Sequence, residues 1–439
     1  MGFEWRPFTD LLAAIVDNRG RTCPVGEVGL PLIATNCIDP DSLYPSYQTT
    51  RFVSAETYRT WFRGHPRPGD ILFVCKGSPG RTNWCPDPVD FCIAQDMVAV
   101  RADPKKVAPK YLLAALRSSL VQSQIDNLHV GTMIPHFKKG DFGKLHIPVP
   151  ALGAQIEIGD FYFEVSSRIT LLRETNATLE AIAKALFKSW FVDFDPVHAK
   201  HQGLAPAGMD EATAVLFPDG FEDSAVGPLP RGWRLDPVGH VVEGIYDGPH
   251  ATPPEAGTGP VFLGIKNLTG SGLDFAELRH IAEADFAKWT RRVEPLAGDI
   301  VFSYEATLGY FALIPPGLRC CLGRRLALIR PRSGGADGHF LFHQFVAAPF
   351  QRLLERHTIQ GATVNRIALK QFPNYPVLNP PDGLKACFDL LVAPLWARIH
   401  ENQAQAQTLA GLRDILLPRL ISGQLRLPEA ETQITDATT

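Results

Sequence analysis

The run Asn379-Pro380-Pro381-Asp382 comes close to the Asn-Pro-Pro-aromatic signature of enzymes that methylate an exocyclic amine. That chemistry stacks a flipped base on an aromatic ring, and an aspartate in the fourth place offers none. A glycine-rich turn for S-adenosylmethionine needs an apolar strand before it, which Gly257-Thr258-Gly259 lacks. No phosphate-cradling Gly-x-x-x-x-Gly-Lys loop exists, so nucleotide-driven translocation by this chain is not expected. Pro86-Asp87 and Pro218-Asp219 lack the Glu-x-Lys that completes a nuclease metal site. The 13 histidines form no His-Glu-x-x-His pattern. The 8 cysteines (Cys23, Cys37, Cys75, Cys85, Cys92, Cys320, Cys321 and Cys387) form no Cys-x-x-Cys pair. They read as reduced, mostly buried thiols of a cytoplasmic protein. Asn379-Pro380-Pro381-Asp382 therefore reads as a turn from a domain into a helix, with no catalysis and no bound metal expected.

A chain of 439 residues with 45% hydrophobic and 20% charged side chains has room for two or three soluble domains. Its opening residues show no basic-then-apolar leader, and no run of 18 apolar residues marks a membrane span. The net charge of −3 gives little sequence-independent attraction for a polyanion.

Larger organisation appears as a duplication. Gly69-Asp70-Ile71-Leu72-Phe73 recurs 229 residues later as Gly298-Asp299-Ile300-Val301-Phe302. Trp61 has its counterpart in Trp289, Pro24 in Pro253, and Val98–Arg101 in Leu326–Arg330. Gly131-Thr132-Met133-Ile134-Pro135 matches Gly361-Ala362-Thr363-Val364-Asn365, and Ile147–Pro150 matches Tyr375–Leu378. A period this long means two copies of a whole module, not a solenoid. Each copy begins with a mixed α/β part, containing a helix at 110–127 or 340–357. Each ends in a helix, at 154–191 or 384–421.

Those closing helices carry a heptad seam. Val165, Ile169, Leu172, Asn176, Leu179, Ala183, Leu186 and Trp190 alternate spacings of four and three. Leu395, Ile399, Asn402, Ala406, Leu409, Arg413, Leu416 and Leu420 repeat the pattern, interrupted by Arg413. The seams predict that the helices pair with each other, antiparallel. If Asn176 meets Asn402, then Leu172 must meet Ala406. Packing of each helix on its own domain is the plainer alternative.

Three further stretches carry a family resemblance: Trp190-Phe191-Val192-Asp193-Phe194-Asp195-Pro196, Gly227-Pro228-Leu229-Pro230-Arg231-Gly232-Trp233 and Leu416-Leu417-Pro418-Arg419-Leu420-Ile421-Ser422-Gly423. With the duplicated Gly-Asp strand, they resemble specificity subunits of Type I restriction–modification systems along nearly the whole chain. The resemblance implies a mixed α/β fold of two tandem target-recognition domains. An antiparallel two-helix coiled coil separates them, and the duplication has pseudo-two-fold symmetry. Expected boundaries are 1–150 and 231–380 for the recognition domains and 151–195 and 381–425 for the helical spacers. A linker at 196–230 and a disordered tail at 426–439 complete the chain. Each domain would read half of a bipartite site in double-stranded DNA. Two methyltransferase subunits and the motor–nuclease restriction subunits would be partners; S-adenosylmethionine, ATP and magnesium would belong to them. A methyltransferase with a fused recognition domain, or a degenerate scaffold, are the alternatives.

Reading DNA needs cations for phosphates, and amides, cations or carboxylates for base edges. The loop after the Gly-Asp strand supplies Lys76, Arg81 and Asn83 in one copy and Tyr304 and Glu305 in the other. Its glycines would let the backbone approach a phosphate. The segment near residue 135 supplies His136, Lys138 and Lys139, and its counterpart Arg366 and Lys370. The short basic pairs Arg291-Arg292 and Arg324-Arg325 complete the candidates. The helix-pairing candidates are Ile169, Leu172, Asn176, Leu179, Leu186, Ile399, Asn402, Leu409 and Leu416.

Overall fold

The computed structural model describes residues 3–18, 21–49, 51–131, 133–224, 227–275, 277–332, 338–361 and 364–438. Thr132, Ala362 and Thr363 of the matched segments lie outside them. The chain divides into two compact units. Unit 1 comprises Met1–Glu174 with Ala404–Thr439, and unit 2 comprises Thr175–Gln403. The long helices form no unit of their own, since each unit includes a stretch of both.

In unit 1, a four-stranded antiparallel sheet runs in the order Leu12–Asp17, Met97–Ala102, Ile71–Val74, Thr82–Trp84. Ile71–Val74 is buried on both faces, which explains its unbroken apolar run. Ile71 and Phe73 enter a core with Phe8, Tyr111 and Phe142, while Leu72 and Val74 enter another with Ile33 and Phe91. A second sheet orders Phe52–Val53, Leu30–Ile33 and Cys92–Ile93, and Glu4–Pro7 pairs with His146–Val149. Unit 2 repeats the plan. Its four-stranded sheet orders Val242–Asp247, Leu326–Pro331, Ile300–Ser303 and Phe311–Leu313. Its three-stranded sheet orders Arg279–His280, Ala256–Leu263 and Cys320–Leu322, and Arg234–Pro237 pairs with Pro376–Asn379. Gly257-Thr258-Gly259 thus lies within a strand.

The expected helix at 110–127 is broken into Pro109–Arg117 and Ser119–Leu128, and its counterpart into Gly338–Val346 and Ala348–Arg356. Ser118 adopts an extended ψ of 145°, and Ala347 one of 146° ahead of Pro349. The carbonyls freed by each break need new donors. Gln122 Nε2 donates to Leu116 O at 2.6 Å, and Gln351 Nε2 to Phe345 O at 2.7 Å.

The paired helices are α1, Leu152–Phe191, and α2, Asp382–Ile421. In unit 1, Val165 and Ile169 pack with Ala406 and Leu409, joined at the edge by Leu172. Tyr162 lies in one core with Leu416 and Leu420. In unit 2, Asn402 Nδ2 donates to Asn176 Oδ1 at 2.8 Å, and Asn176 Nδ2 to Ile399 O at 3.2 Å. Further along, Leu179 and Leu186 pack at the edge of a core with Ala183, Phe187, Phe388 and Ile399. Within each unit the helices are therefore antiparallel, in the register set by the two asparagines. Arg413 does not break the seam. It is 5% exposed, with Nε donating to Asp414 at 2.8 Å and its guanidinium 5.8 Å from the Tyr162 ring centroid.

Two more expectations fail. The linker at 196–230 is structured, with helices Asp195–His201 and Glu211–Val215 and strands Phe221–Glu222 and Leu229–Pro230. Its Val197 and Phe217 are buried in the core of unit 2. Aromatic rings hold it there: Trp190, Phe191 and Phe194 pack against Phe217 and Trp233. The tail expected to be disordered forms the helix Leu427–Thr438. Leu425 and Ala430 are buried in the core of unit 1, and Ile434 packs at its edge.

Candidate nucleic-acid interface

A shared scaffold holds the loop after each Gly-Asp strand. Asp70 accepts two bonds from Arg101, at 2.8 and 2.7 Å, and Asp299 two from Arg330, at 3.0 and 2.7 Å. Each carboxylate also caps a backbone amide, of Arg67 or Leu296, both at 2.8 Å. The duplicated Gly-Asp and Val/Ile-Arg motifs are therefore one clamp that fixes the strand start. At the far end of the loop, Gln122 Nε2 donates to Gly80 O at 3.0 Å and Gln351 Nε2 to Gly309 O at 3.1 Å. Gly80 and Gly309 have φ of +89° and +70°, and a Cβ on either would stand 2.8 Å from the glutamine oxygen. The positive φ favours glycine at both places, and a larger residue would also push the glutamine aside.

The second candidate segment lies against the first. Lys76 bridges His136, and Glu305 bridges Arg366, in matching antiparallel pairs. Phe137 N donates to Cys75 O and Ile367 N to Tyr304 O, both at 2.8 Å. Gly77 N donates to Pro135 O at 2.9 Å, and Ala306 N to Asn365 O at 3.1 Å. Residues widely separated in sequence thus form one surface in each unit. The Gly77 and Gly80 amides both bond to the chain, Gly80 N to Val74 O at 3.0 Å. These two amides are therefore not free for a phosphate.

Lys76, Arg81, Lys138, Arg291, Arg324, Arg366 and Lys370 are exposed, and His136 and Glu305 half-buried. Two expected contacts are internal instead. Asn83 is fully buried: its amide donates to Asp39 O and Ser42 O, and its Oδ1 accepts from Asp39 N. Tyr304 is buried, donating to Asp247 Oδ1 at 2.8 Å. Burial, reinforced by that carboxylate, holds its hydroxyl far above the usual range. Both serve the loop from beneath. Lys139 pairs with Asp17, and Arg292 with Asp247 at 3.5 Å. These carboxylates end matching strands, and Arg63 stands 3.9 Å from Asp17 as Arg292 stands from Asp247. Asp17, Asp247 and Arg63 were missed because no local motif marks them; only the register of the duplication does.

Asn379-Pro380-Pro381-Asp382 is structural. Asn379 donates to Asp236 at 2.6 Å and accepts from Lys385 at 2.9 Å, and Asp382 opens α2. All eight cysteines are free, and burial pushes the Cys75, Cys92, Cys320 and Cys321 thiols up to about 12. Among the described residues no helix is long and apolar enough to cross a membrane.

Residues 64–181 match the family described as Type I restriction modification DNA specificity domain. That span holds the Gly-Asp clamp, the loop and the broken helix of the first copy. The chain is 22% identical over 335 residues to the Type I restriction enzyme MjaIX specificity subunit of Methanocaldococcus jannaschii, covering 74% of this chain and 70% of that protein. It is 23% identical over 410 residues to the HindI specificity subunit of Haemophilus influenzae, covering 82% and 87%. A solved S subunit of a Type I system from M. genitalium has the same fold, with TM-score 0.52 at 16% identity over 95% of this chain and 96% of that one. Residues 64–181 carry the signature of that specificity domain, and the chain as a whole shares the fold of the solved S subunit. The resemblance carried by its motifs is borne out.

Proposed function

We propose that this chain is the non-catalytic DNA-recognition subunit of a Type I restriction–modification complex, each unit reading one half of a bipartite site. The observation that supports this most is the contrast within the duplicated loop. Its holding residues are kept, Asp70 with Arg101 as Asp299 with Arg330, and Gln122 as Gln351. Its outward residues differ: Lys76 and His136 in one unit, Glu305 and Arg366 in the other. Equal scaffolds with different faces suit two readers of different sequences. The helices α1 and α2 would dock the methyltransferase subunits. Those partners would supply the transfer of methyl groups to adenine and, with restriction subunits, cleavage. With a net charge of −3 the chain alone binds DNA weakly.

The test is to map methylated adenines in cells carrying the methyltransferase subunits with and without this chain. A bipartite motif that appears only with the chain is expected. Methyl transfer by the purified chain alone would overturn the reading, as would full complexes that select no motif. Lys76→Ala is expected to alter one half-site and Glu305→Ala the other.

A further inference from the structure

Arg325 ends the turn before the strand Leu326–Pro331, with a φ of +79°. A long side chain enters that region only under strain, which local structure has to hold in place. Here the Arg325 carbonyl accepts from Tyr304 N at 3.1 Å, fixing the turn against the base of the loop. The guanidinium lies beside the Glu305 carboxylate, Nε to Oε2 4.0 Å. Both side chains are about one-third exposed, at 34% and 30%. The Arg325 Nε is buried yet has no hydrogen-bond partner. Two opposite charges thus stand side by side at the loop surface without a hydrogen bond between them. The buried Nε carries an uncompensated desolvation cost, and the exposed thirds of the two side chains keep a donor end and an acceptor end within reach of something outside the chain.

The first copy inverts this arrangement. Cys75 N donates to Asp96 O at 2.9 Å as Tyr304 N donates to Arg325 O. Asp96 is therefore the counterpart of Arg325, Gln95 of Arg324, and Lys76 of Glu305. Acid and base have changed places at these two positions, although Asp96 does not share the positive φ of Arg325.

We propose that Arg325 is a specificity-determining residue: with Glu305 it reads one G·C base pair of the second half-site through the major groove. Arg325 donates its fork to guanine O6 and N7, and Glu305 accepts from cytosine N4. Guanine O6 and cytosine N4 are hydrogen-bonded to each other about 2.9 Å apart. A donor and an acceptor held as neighbours match that edge, and a lone arginine would match only half of it. Lys76 and Asp96 carry the same two chemistries with positions exchanged. The first unit therefore reads a G·C pair in the opposite orientation at this place. The inference rests on the DNA-recognition reading above.

The test uses the full chain assembled with its methyltransferase partners, selecting from a random duplex library. Arg325→Gly suits the positive φ and keeps the fold. Glu305→Lys with Arg325→Asp installs the arrangement of the first unit. The glycine variant is expected to lose roughly ten- to a hundred-fold discrimination at one G·C position. Its other half-site stays as in the wild type. The double exchange is expected to favour the reversed pair at that position. If the glycine variant selects the wild-type motif with unchanged stringency, or loses both half-sites together, the assignment is wrong. A wild-type complex that selects no motif would instead overturn the recognition reading itself.

Discussion

Beneath the loop, the two units fill matching positions with opposite chemistry. In unit 1, Arg117 donates to Thr82, to Ser42 O at 2.6 Å and to the Tyr162 hydroxyl at 3.2 Å, while Arg413 lies by the Tyr162 ring. A cleft of about 640 Å³ opens there, lined by Arg81, Arg117, Tyr162 and Arg413. In unit 2 the counterparts of Arg117, Thr82, Tyr162 and Arg413 are Val346, Phe311, Val392 and Ala183. Phe372, Phe302, Phe311 and Phe345 pack there ring on ring in that order, with centroids 4.7, 5.3 and 5.3 Å apart between successive partners. The helix seam shows the reverse. Unit 2 pairs Asn176 with Asn402, where unit 1 places Ala406 and Leu172. The polar groups that stay the same are the Asp–Arg clamp and the loop glutamine. Those shared groups hold the start and the end of the loop, whereas Arg117, which also bonds the Ser42 carbonyl, gives way to Val346 together with the side chains around it.

The sharpest way to break this comparison is at one matched position. Phe311→Ala should destabilise unit 2 by about 3–5 kcal/mol through lost transfer energy and a cavity. Thr82→Ala should cost unit 1 only about 1 kcal/mol. Hydrogen exchange resolved by unit, along a denaturant series, checks both, and equal losses would erase the distinction. At the shared clamp the units should behave alike. Asp70→Ala and Asp299→Ala each strand a partly exposed arginine, and each should cost its own unit about 2–3 kcal/mol. Unequal losses there would mean that the clamp is not equivalent.

Acid should separate the units. His339 and His343 lie in unit 2, where unit 1 has Lys110 and Ala114. Burial lowers their pKa to about 4 and about 3. His343 Nε2 accepts from Trp396 Nε1 at 3.1 Å, a bond that needs the neutral ring. Unfolded histidine titrates near pH 6.5, so between about 6.5 and the folded values the unfolded chain binds more protons. The contribution is fully present above pH 6.5 and lost as pH falls through that window. By pH 5 unit 2 should lose about 1–2 kcal/mol per histidine, with no such term at the matching positions of unit 1. The dependence of exchange protection on pH reads this directly. The smallest effect belongs to the seam. Asn402→Leu alone leaves Asn176 facing an apolar partner and should cost about 1–2 kcal/mol. Adding Asn176→Ala, which copies the pair of unit 1, should recover that loss in thermal unfolding.

The heptads made the long helices legible to within two residues, because spacing along one helix carries its own register. The asparagines gave their mutual contact for the same reason. The break at Ser118 was not legible, since it depends on Gln122 reaching both Leu116 and Gly80. The tail read as disordered by composition, and it folds because Ala430 and Leu425 find the core of unit 1. Among the site residues, exposed cations were legible by type, whereas Asn83 and Tyr304 were misread because their partners lie far away in sequence.

By itself the sequence determined the duplication, the paired helices, the mixed domains and the family resemblance. All of these are written in order and period along the chain, and need no knowledge of what lies beside what. Only the tertiary structure decided which charged residues stand free and which are held. It closed Lys139 on Asp17 and Arg292 on Asp247, and it set Arg325 beside Glu305 without a bond. The free energy of a charge depends on its neighbours and its access to water, and chain folding chooses both from residues that can lie anywhere in the sequence.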